Sequence, residues 1–326
     1  MRDGWSRRTF LKGGVLAGGL VAAPGVLTGC AAIGFGDTLD RIKEEGVLRV
    51  GHAGERPYAY EENGLRGAIP ALHREIFSRI AGESVELRGV QTLFKDLIEG
   101  LNAGTFDVIA AGMFVRSDRC DQAAFSDPVY CARSALLTKK GNPLGLSNYS
   151  SVERQGATLA VLGGAVEQDD ALAVGVPEGR IELVGGQEEG LKLVADGDVD
   201  AFALTSISLR ALLTSAREPT GTTPPPAGSP SPAELAEQVE LLEPFVPVVD
   251  GEEKLGCGAA VFRKPDESLR EAFNTELATL RSEGTVLELT TPYGFTEAEM
   301  APPEVTTEQL CRTGGASGGQ IDPLPR

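Results

Sequence analysis

Buried strands alternate with amphipathic helices along this chain, and the pattern restarts midway. No other feature limits its fold as much. A helix over 37–45 runs into Val47-Leu48-Arg49-Val50-Gly51, an apolar strand, and Asn63-Gly64 marks a tight turn between two short extended runs. Helical period over 71–81 places Leu72, Ile76, Phe77 and Ile80 on one face. A strand over 85–87, a helix over 94–103 closed by Gly104, and a buried strand over 106–112 follow. After Lys139-Lys140-Gly141-Asn142-Pro143 the alternation begins again. A strand over 158–162 leads through Gly163-Gly164-Ala165 into a helix, then come a strand over 181–184 and a helix over 188–195. Gly197-Asp198-Val199-Asp200-Ala201-Phe202-Ala203-Leu204 echoes Gly104-Thr105-Phe106-Asp107-Val108-Ile109-Ala110-Ala111, which suggests two lobes of related construction. A strand over 259–262 and a helix over 266–283 are expected to return to the first lobe. The pattern predicts an α/β fold whose ligand crevices lie at strand C-termini.

Charge excludes one class of partner. The 326 residues carry a formal net charge of −17, and an acidic surface repels phosphate backbones, so no nucleic-acid partner is expected. A hydrophobic fraction of 41% suits a folded domain. The two histidines, His52 and His73, cannot build a His-rich metal site, and neither metal nor cofactor is expected. Residues 219–232, rich in Pro, Gly, Ser and Thr, read as a mobile surface insertion, bounded at 217–234, in the second lobe. From Glu304 the tail is polar and expected to be poorly ordered, unless Cys311 ties it down.

The N-terminus reads as an address. Ser6-Arg7-Arg8-Thr9-Phe10-Leu11-Lys12 precedes an uncharged apolar run over 13–29, interrupted by Pro24, and resembles a twin-arginine export signal. A transmembrane anchor is the competing reading, at the short edge of what spans a bilayer. Leu27-Thr28-Gly29-Cys30 resembles a bacterial lipobox. That resemblance implies a signal over 1–29, acylation of Cys30 and a tether over 30–37 at the outer face of the cytoplasmic membrane. Losing the signal removes four basic residues and one acidic residue and leaves a charge of −20. Cys120, Cys131, Cys257 and Cys311 remain, an even number for an oxidising compartment. Two disulfides are expected, with all three pairings open. No two of these cysteines have zinc-ligand spacing, and free buried thiols are the plain alternative.

Gly112-Met113-Phe114-Val115-Arg116-Ser117-Asp118-Arg119, followed by Phe125-Ser126-Asp127-Pro128-Val129-Tyr130, resembles the signature of extracellular solute-binding proteins for polar amino acids. Cys257 to Lys264 and Tyr293-Gly294-Phe295 look like that family's closing segment. The resemblance covers roughly 38–300. It implies a two-lobed, periplasmic-binding-protein-like (type II) fold, each lobe an open α/β sheet, joined by a two-stranded hinge. Lobe 1 would comprise 38–138 and 252–300, lobe 2 would be 139–251, and 301–326 would be the tail. It also implies a monomer that delivers a small ligand to the permease subunits of an ABC importer.

Within the family, Ala53-Gly54-Glu55-Arg56-Pro57-Tyr58, the stretch from Phe114 to Cys120, Val161 to Glu167, and Phe202 to Ser208 resemble ectoine- and hydroxyectoine-binding subunits. The resemblance implies that Arg119 clamps the ligand carboxylate. Tyr58, Phe94 and Phe114 would form an aromatic box for a delocalised ring cation, and Glu55 would accept from its nitrogens. A solvated arginine, a packing Phe94 and a loop carboxylate are the competing readings. Gly164 and Ala165 precede a helix, so their amides are expected to face the carboxylate. Thr205 stands where amino-acid binders of the family carry an Asp for the α-ammonium. That argues against an ordinary amino acid, because a buried ammonium would lack its counter-charge. No catalytic residue is expected. The competing readings are a glutamine or arginine receptor, and an exported cyclohexadienyl-type dehydratase with Glu55 as its proton-transfer group.

Overall fold

The structure, a computed structural model, describes residues 38–82, 85–218, 230–313 and 316–317. The signal 1–29, the tether 30–37 with Cys30, residues 219–229 of the insertion, and the end of the tail lie outside the described residues.

The chain starts with α1 (Thr38–Glu45) and β1 (Val47–His52). A hairpin follows, β2 (Tyr60–Glu61) and β3 (Leu65–Arg66), turning through Asn63 and Gly64, which both take positive φ, as the Asn-Gly pair predicts. Next come α2 (Ala68–Ala81), β4 (Glu86–Gln91), α3 (Leu97–Asn102), β5 (Val108–Ile109), α4 (Ser117–Cys120), β6 (Ala124–Phe125) and β7 (Tyr130–Ala132). The second lobe runs through β8 (Ser134–Lys139), α5 (Tyr149–Gln155), β9 (Leu159–Leu162), α6 (Val166–Val174), β10 (Ile181–Val184), α7 (Gln187–Asp196) and β11 (Ala201–Thr205). It continues with α8 (Ser206–Arg217), α9 (Pro232–Glu237), β12 (Val239–Leu241) and β13 (Val248–Val249). The chain returns through β14 (Glu252–Gly258), β15 (Val261–Phe262), α10 (Glu267–Glu283), α11 (Thr285–Thr290), α12 (Thr307–Thr313) and the short β16 (Ala316–Ser317).

Two five-stranded sheets result, ordered β4-β1-β5-β15-β6 and β10-β9-β11-β8-β12. β15 pairs with β5 and β6, so the returning chain completes the first lobe. The lobes are joined by two strands, β7 and β14, paired antiparallel with Cys131 opposite Cys257. This is the type II architecture with its two-stranded hinge. The internal echo has a physical basis. The Asp107 carboxylate accepts the Arg49 amide at 3.0 Å, and the Asp200 carboxylate accepts the Thr158 amide at 2.8 Å. In each lobe the acid therefore fastens the start of the parallel neighbour strand. Asp107 also gathers Arg41, Arg49 and Arg263, and this pairing holds its carboxyl below its ordinary value despite burial.

Several boundaries differ from the sequence reading. β8, placed at the end of the first lobe by a division at 138/139, pairs with β11 and β12 and belongs to the second sheet. The strand over 106–112 shrinks to Val108–Ile109, because the chain turns away at Gly112, where φ is +66°. The insertion also narrows from 217–234. Arg217 ends α8, and Pro232 opens α9, whose Ser231 forms a capping box with Glu234 and whose Leu235 and Ala236 are buried. In the tail the exception allowed for Cys311 is the one observed. Leu310 is fully buried, the Thr307 hydroxyl donates to the Ser126 carbonyl at 2.6 Å, and Cys311 bonds to Cys120. The other bridge joins Cys131 to Cys257.

His73 in α2 is fully buried against Phe77 and Phe273, and neither ring nitrogen meets a protein partner. Burial pushes its imidazole down to about 3. The unfolded chain takes that proton near 6.5, so stability is lost as pH falls from about 6.5 toward 3. His73→Phe is expected to narrow the difference in Tm between pH 7.5 and pH 5 by about 4–8 °C, read by thermal unfolding at both pH values. An unchanged difference would show that His73 is not the titrating group.

Candidate functional site

The cavity between the lobes is lined by Glu55, Tyr58, Phe94, Phe114, Arg119, Ala165, Glu167 and Thr205, among others. Glu55 and Tyr58 come from the loop after β1, and Phe94 opens the turn before α3. Phe114 precedes α4, Arg119 lies on it, and Thr205 ends β11. These are strand-end and loop positions, where an open α/β sheet exposes side chains to a crevice.

Arg119 is buried, and its Nη1 donates to the Phe114 carbonyl at 2.8 Å. Its Nη2 donates across the cleft to the Gly164 carbonyl at 2.9 Å. The Phe94 ring covers its guanidinium at 5.5 Å, so Phe94 faces the cavity as well as the core. Burial lowers the Arg119 pKa to about 10, which leaves it charged at neutral pH.

A buried polar chain also crosses the cleft. The Tyr58 hydroxyl lies 3.0 Å from Thr205 Oγ1, which lies 2.8 Å from Ser208 Oγ, and Ser208 Oγ donates to Glu55 Oε1 at 2.6 Å. Thr205 also caps α8 by accepting the Ser208 amide. Behind Tyr58, Tyr130 stacks at 5.2 Å and donates to the Gly112 carbonyl at 2.7 Å. A side chain at Gly112 would meet the Tyr58 ring at 2.5 Å, and one at Gly256 would meet Phe114 at 2.0 Å. Glycine at these two places lets both rings sit flush with the backbone.

Seven of the eight residues singled out from the sequence line the cavity. Gly164 reaches the site through its carbonyl instead, and here the expected amide nest fails. The Gly164 amide is directed to the Gln168 side chain, and the Ala165 amide bonds to the Leu162 carbonyl. The turn therefore presents an acceptor to Arg119 rather than donors to an anion. Two functional side chains were missed, Ser208 and Glu167. Glu167, in the first turn of α6, is buried and faces the cavity. Desolvation raises Glu55 to about 8 and Glu167 to about 7. The cavity thus combines one guanidinium, two carboxylates and three aromatic walls. Among the described residues no cluster of three or more His, Cys, Asp or Glu side chains is placed to hold a metal ion.

Two α/β lobes closing on a charged, aromatic cavity over a two-stranded hinge define a receptor of the periplasmic-binding-protein type. The chain belongs to the bacterial extracellular solute-binding proteins, family 3, whose model matches residues 48–297. A probable amino-acid ABC transporter periplasmic-binding protein, y4tE, of Sinorhizobium fredii (strain NBRC 101917 / NGR234) is 31% identical over 93% of this chain and 94% of its own length. The crystal structure of EhuB in complex with hydroxyectoine is 34% identical with a TM-score of 0.71, covering 84% of this chain and 98% of that one. A cyclohexadienyl dehydratase of Pseudomonas aeruginosa (strain PAO1) is 26% identical over 53% of this chain and 64% of its own length. Membership implies an exported protein that binds a small, amino-acid-like solute and works with an ABC permease.

Proposed function

We propose that this protein is the receptor lipoprotein of an ABC importer for ectoine or 5-hydroxyectoine, and that it binds its ligand without chemical change. The observation that carries the reading is the pairing, in one cavity, of Arg119 under the Phe94 ring with the buried Glu55 beside Tyr58 and Phe114. Ectoine is a compact zwitterion. Its carboxylate suits the guanidinium fork, and its delocalised ring cation suits aromatic faces and one carboxylate. Thr205 offers no charge to an α-ammonium, and the hydroxyectoine complex of EhuB supports the same ligand class. In this reading Cys30 is acylated and the protein acts as a monomer at the outer face of the membrane.

A thermal-shift panel of ectoine, hydroxyectoine, L-glutamine and L-arginine tests the ligand. At a hundred times Kd a specific ligand stabilises by about 2.7 kcal/mol, or roughly 5–10 °C here. Ectoine or hydroxyectoine is expected to give that shift, and a shift by an amino acid alone would overturn the reading. One observation favours the amino-acid alternative, namely that Glu167 gives the cavity a second carboxylate. Proton NMR of a bound cyclohexadienyl acid separates binding from turnover, since Glu55 is the cleft's candidate for proton transfer.

A further inference from the structure

We propose that Glu167 selects the ligand by its charge: a zwitterion is held tightly only when this carboxylate takes up a proton from solvent, whereas a ligand with a second cationic group is held tightly without one. The proposal rests on reading the cleft as the solute site.

Arg119 is the guanidinium of the cavity, and Glu55 and Glu167 are its carboxylates, one from each lobe. A zwitterion brings one charge of each sign. With every group ionised the enclosed site would keep one negative charge without a partner, and burial penalises such a charge heavily. Either a second ligand cation or a proton removes it.

Glu55 is the more strongly raised of the two carboxyls in the cleft without a ligand, but a ligand cation seated on the aromatic walls beside it favours its ionised form, which leaves Glu167 as the group that yields. Glu55 faces it across the cleft, accepts from Ser208 and lies against the cation subsite of the aromatic walls. On the first lobe Arg119 donates to the carbonyls of Phe114 and Gly164, and its remaining donors and its charge are taken by the ligand carboxylate in this reading. Arg116 is committed to Asp118 and Asp169, both at 3.2 Å. On its own helix Asp170 adds a further negative charge, and the phenols of Tyr130 and Tyr149 are the other titratable groups that feel Glu167. No lysine or arginine salt bridge reaches Glu167 among the described ion pairs. Its carboxyl, ordinarily near 4.5, stands at about 7 in this setting, which brings the proton within the physiological range.

The sign follows from linkage. In an open, hydrated cleft Glu167 titrates near its ordinary value, and in the closed cleft it titrates near 7. Zwitterion binding between those limits draws in a proton, so affinity falls about tenfold per pH unit across the window and levels above it. Calorimetry of ectoine at pH 6, in two buffers of unlike ionisation heat, is expected to show close to one proton taken up per ligand. L-Arginine, offered as a cationic ligand, is expected to take up none. In Glu167→Gln the uptake should vanish, ectoine should bind at least tenfold tighter than to the wild type at pH 7.5, and any L-arginine affinity should drop at least tenfold. If that variant fails to fold, the wild-type proton count and the pH slope of Kd decide alone.

Ectoine binding without proton uptake, or with equal uptake in the variant, overturns this proposal while leaving the ligand reading intact. If only amino acids bind, the ligand reading fails, and L-glutamine against L-arginine gives the same charge contrast. Failure of the whole panel to bind overturns both.

Discussion

Arg119→Ala is expected to weaken ligand capture by at least a hundredfold, measured as Kd for ectoine by calorimetry at pH 6. The lost guanidinium is buried, and it bonds to a carbonyl on each lobe. Its removal leaves the carbonyls of Phe114 and Gly164 without those donors and takes the positive charge from a cavity that retains Glu55 and Glu167. A ligand carboxylate would then enter a site of its own sign. Truncating one partner of a buried, hydrogen-bonded charge pair costs about 2–5 kcal/mol, which brackets the expected loss. Arg119→Lys keeps the charge and loses the planar fork, so an intermediate loss of about tenfold is expected. Affinity in Arg119→Ala within threefold of wild type would show that the carboxylate is held elsewhere.

The second large effect concerns stability. Replacing Cys131 and Cys257 together by alanine is expected to destabilise the protein by about 3–5 kcal/mol, lowering Tm by roughly 10 °C. The bridge closes a sequence separation of 126 residues, which includes the whole second lobe, and loop-closure entropy grows with such a span. It also sits where the chain crosses between lobes. Both cysteines are buried, the Val115 amide donates to the Cys257 carbonyl at 2.9 Å, and Phe114 packs over Gly256. Loss of the bridge therefore reaches the aromatic wall by one backbone contact. Calorimetric unfolding of the double variant checks the effect, and a change in Tm under 2 °C would mean that β7 and β14 hold their register unaided.

The sheets were legible because their strands are short, largely apolar runs, some stopped by glycine, as in Leu159–Leu162 and Ile181–Val184. The site was legible in part, because Arg119, Phe114 and Tyr58 sit in stretches whose order of residue types carries a resemblance. What stayed hidden depends on tertiary placement. Glu167 is an acid in the first turn of a helix, a position any helix favours, and only the facing lobe makes it a buried charge. A Gly-Gly-Ala turn before a helix looks like an anion nest until its amides are seen to be engaged by Val184, Gln168 and Leu162. The cysteine pairing needed the β7–β14 register and the place of α12, neither of which is written in spacing.

That last helix changes where the working molecule stops. Cys311 is covalently joined to the residue beside Arg119, and Ala316–Ser317 adds a strand to β14 at Lys254 and Leu255. A gene shortened after codon 300 would keep both main sheets and every cavity-lining residue. It would nevertheless discard the backing of the clamp helix, the buried Leu310 and one neighbour of the hinge strand. Affinity tags, fusions and immobilisation chemistry belong beyond Ser317, on the far side of the bridge, if the receptor is to be used as a sensor.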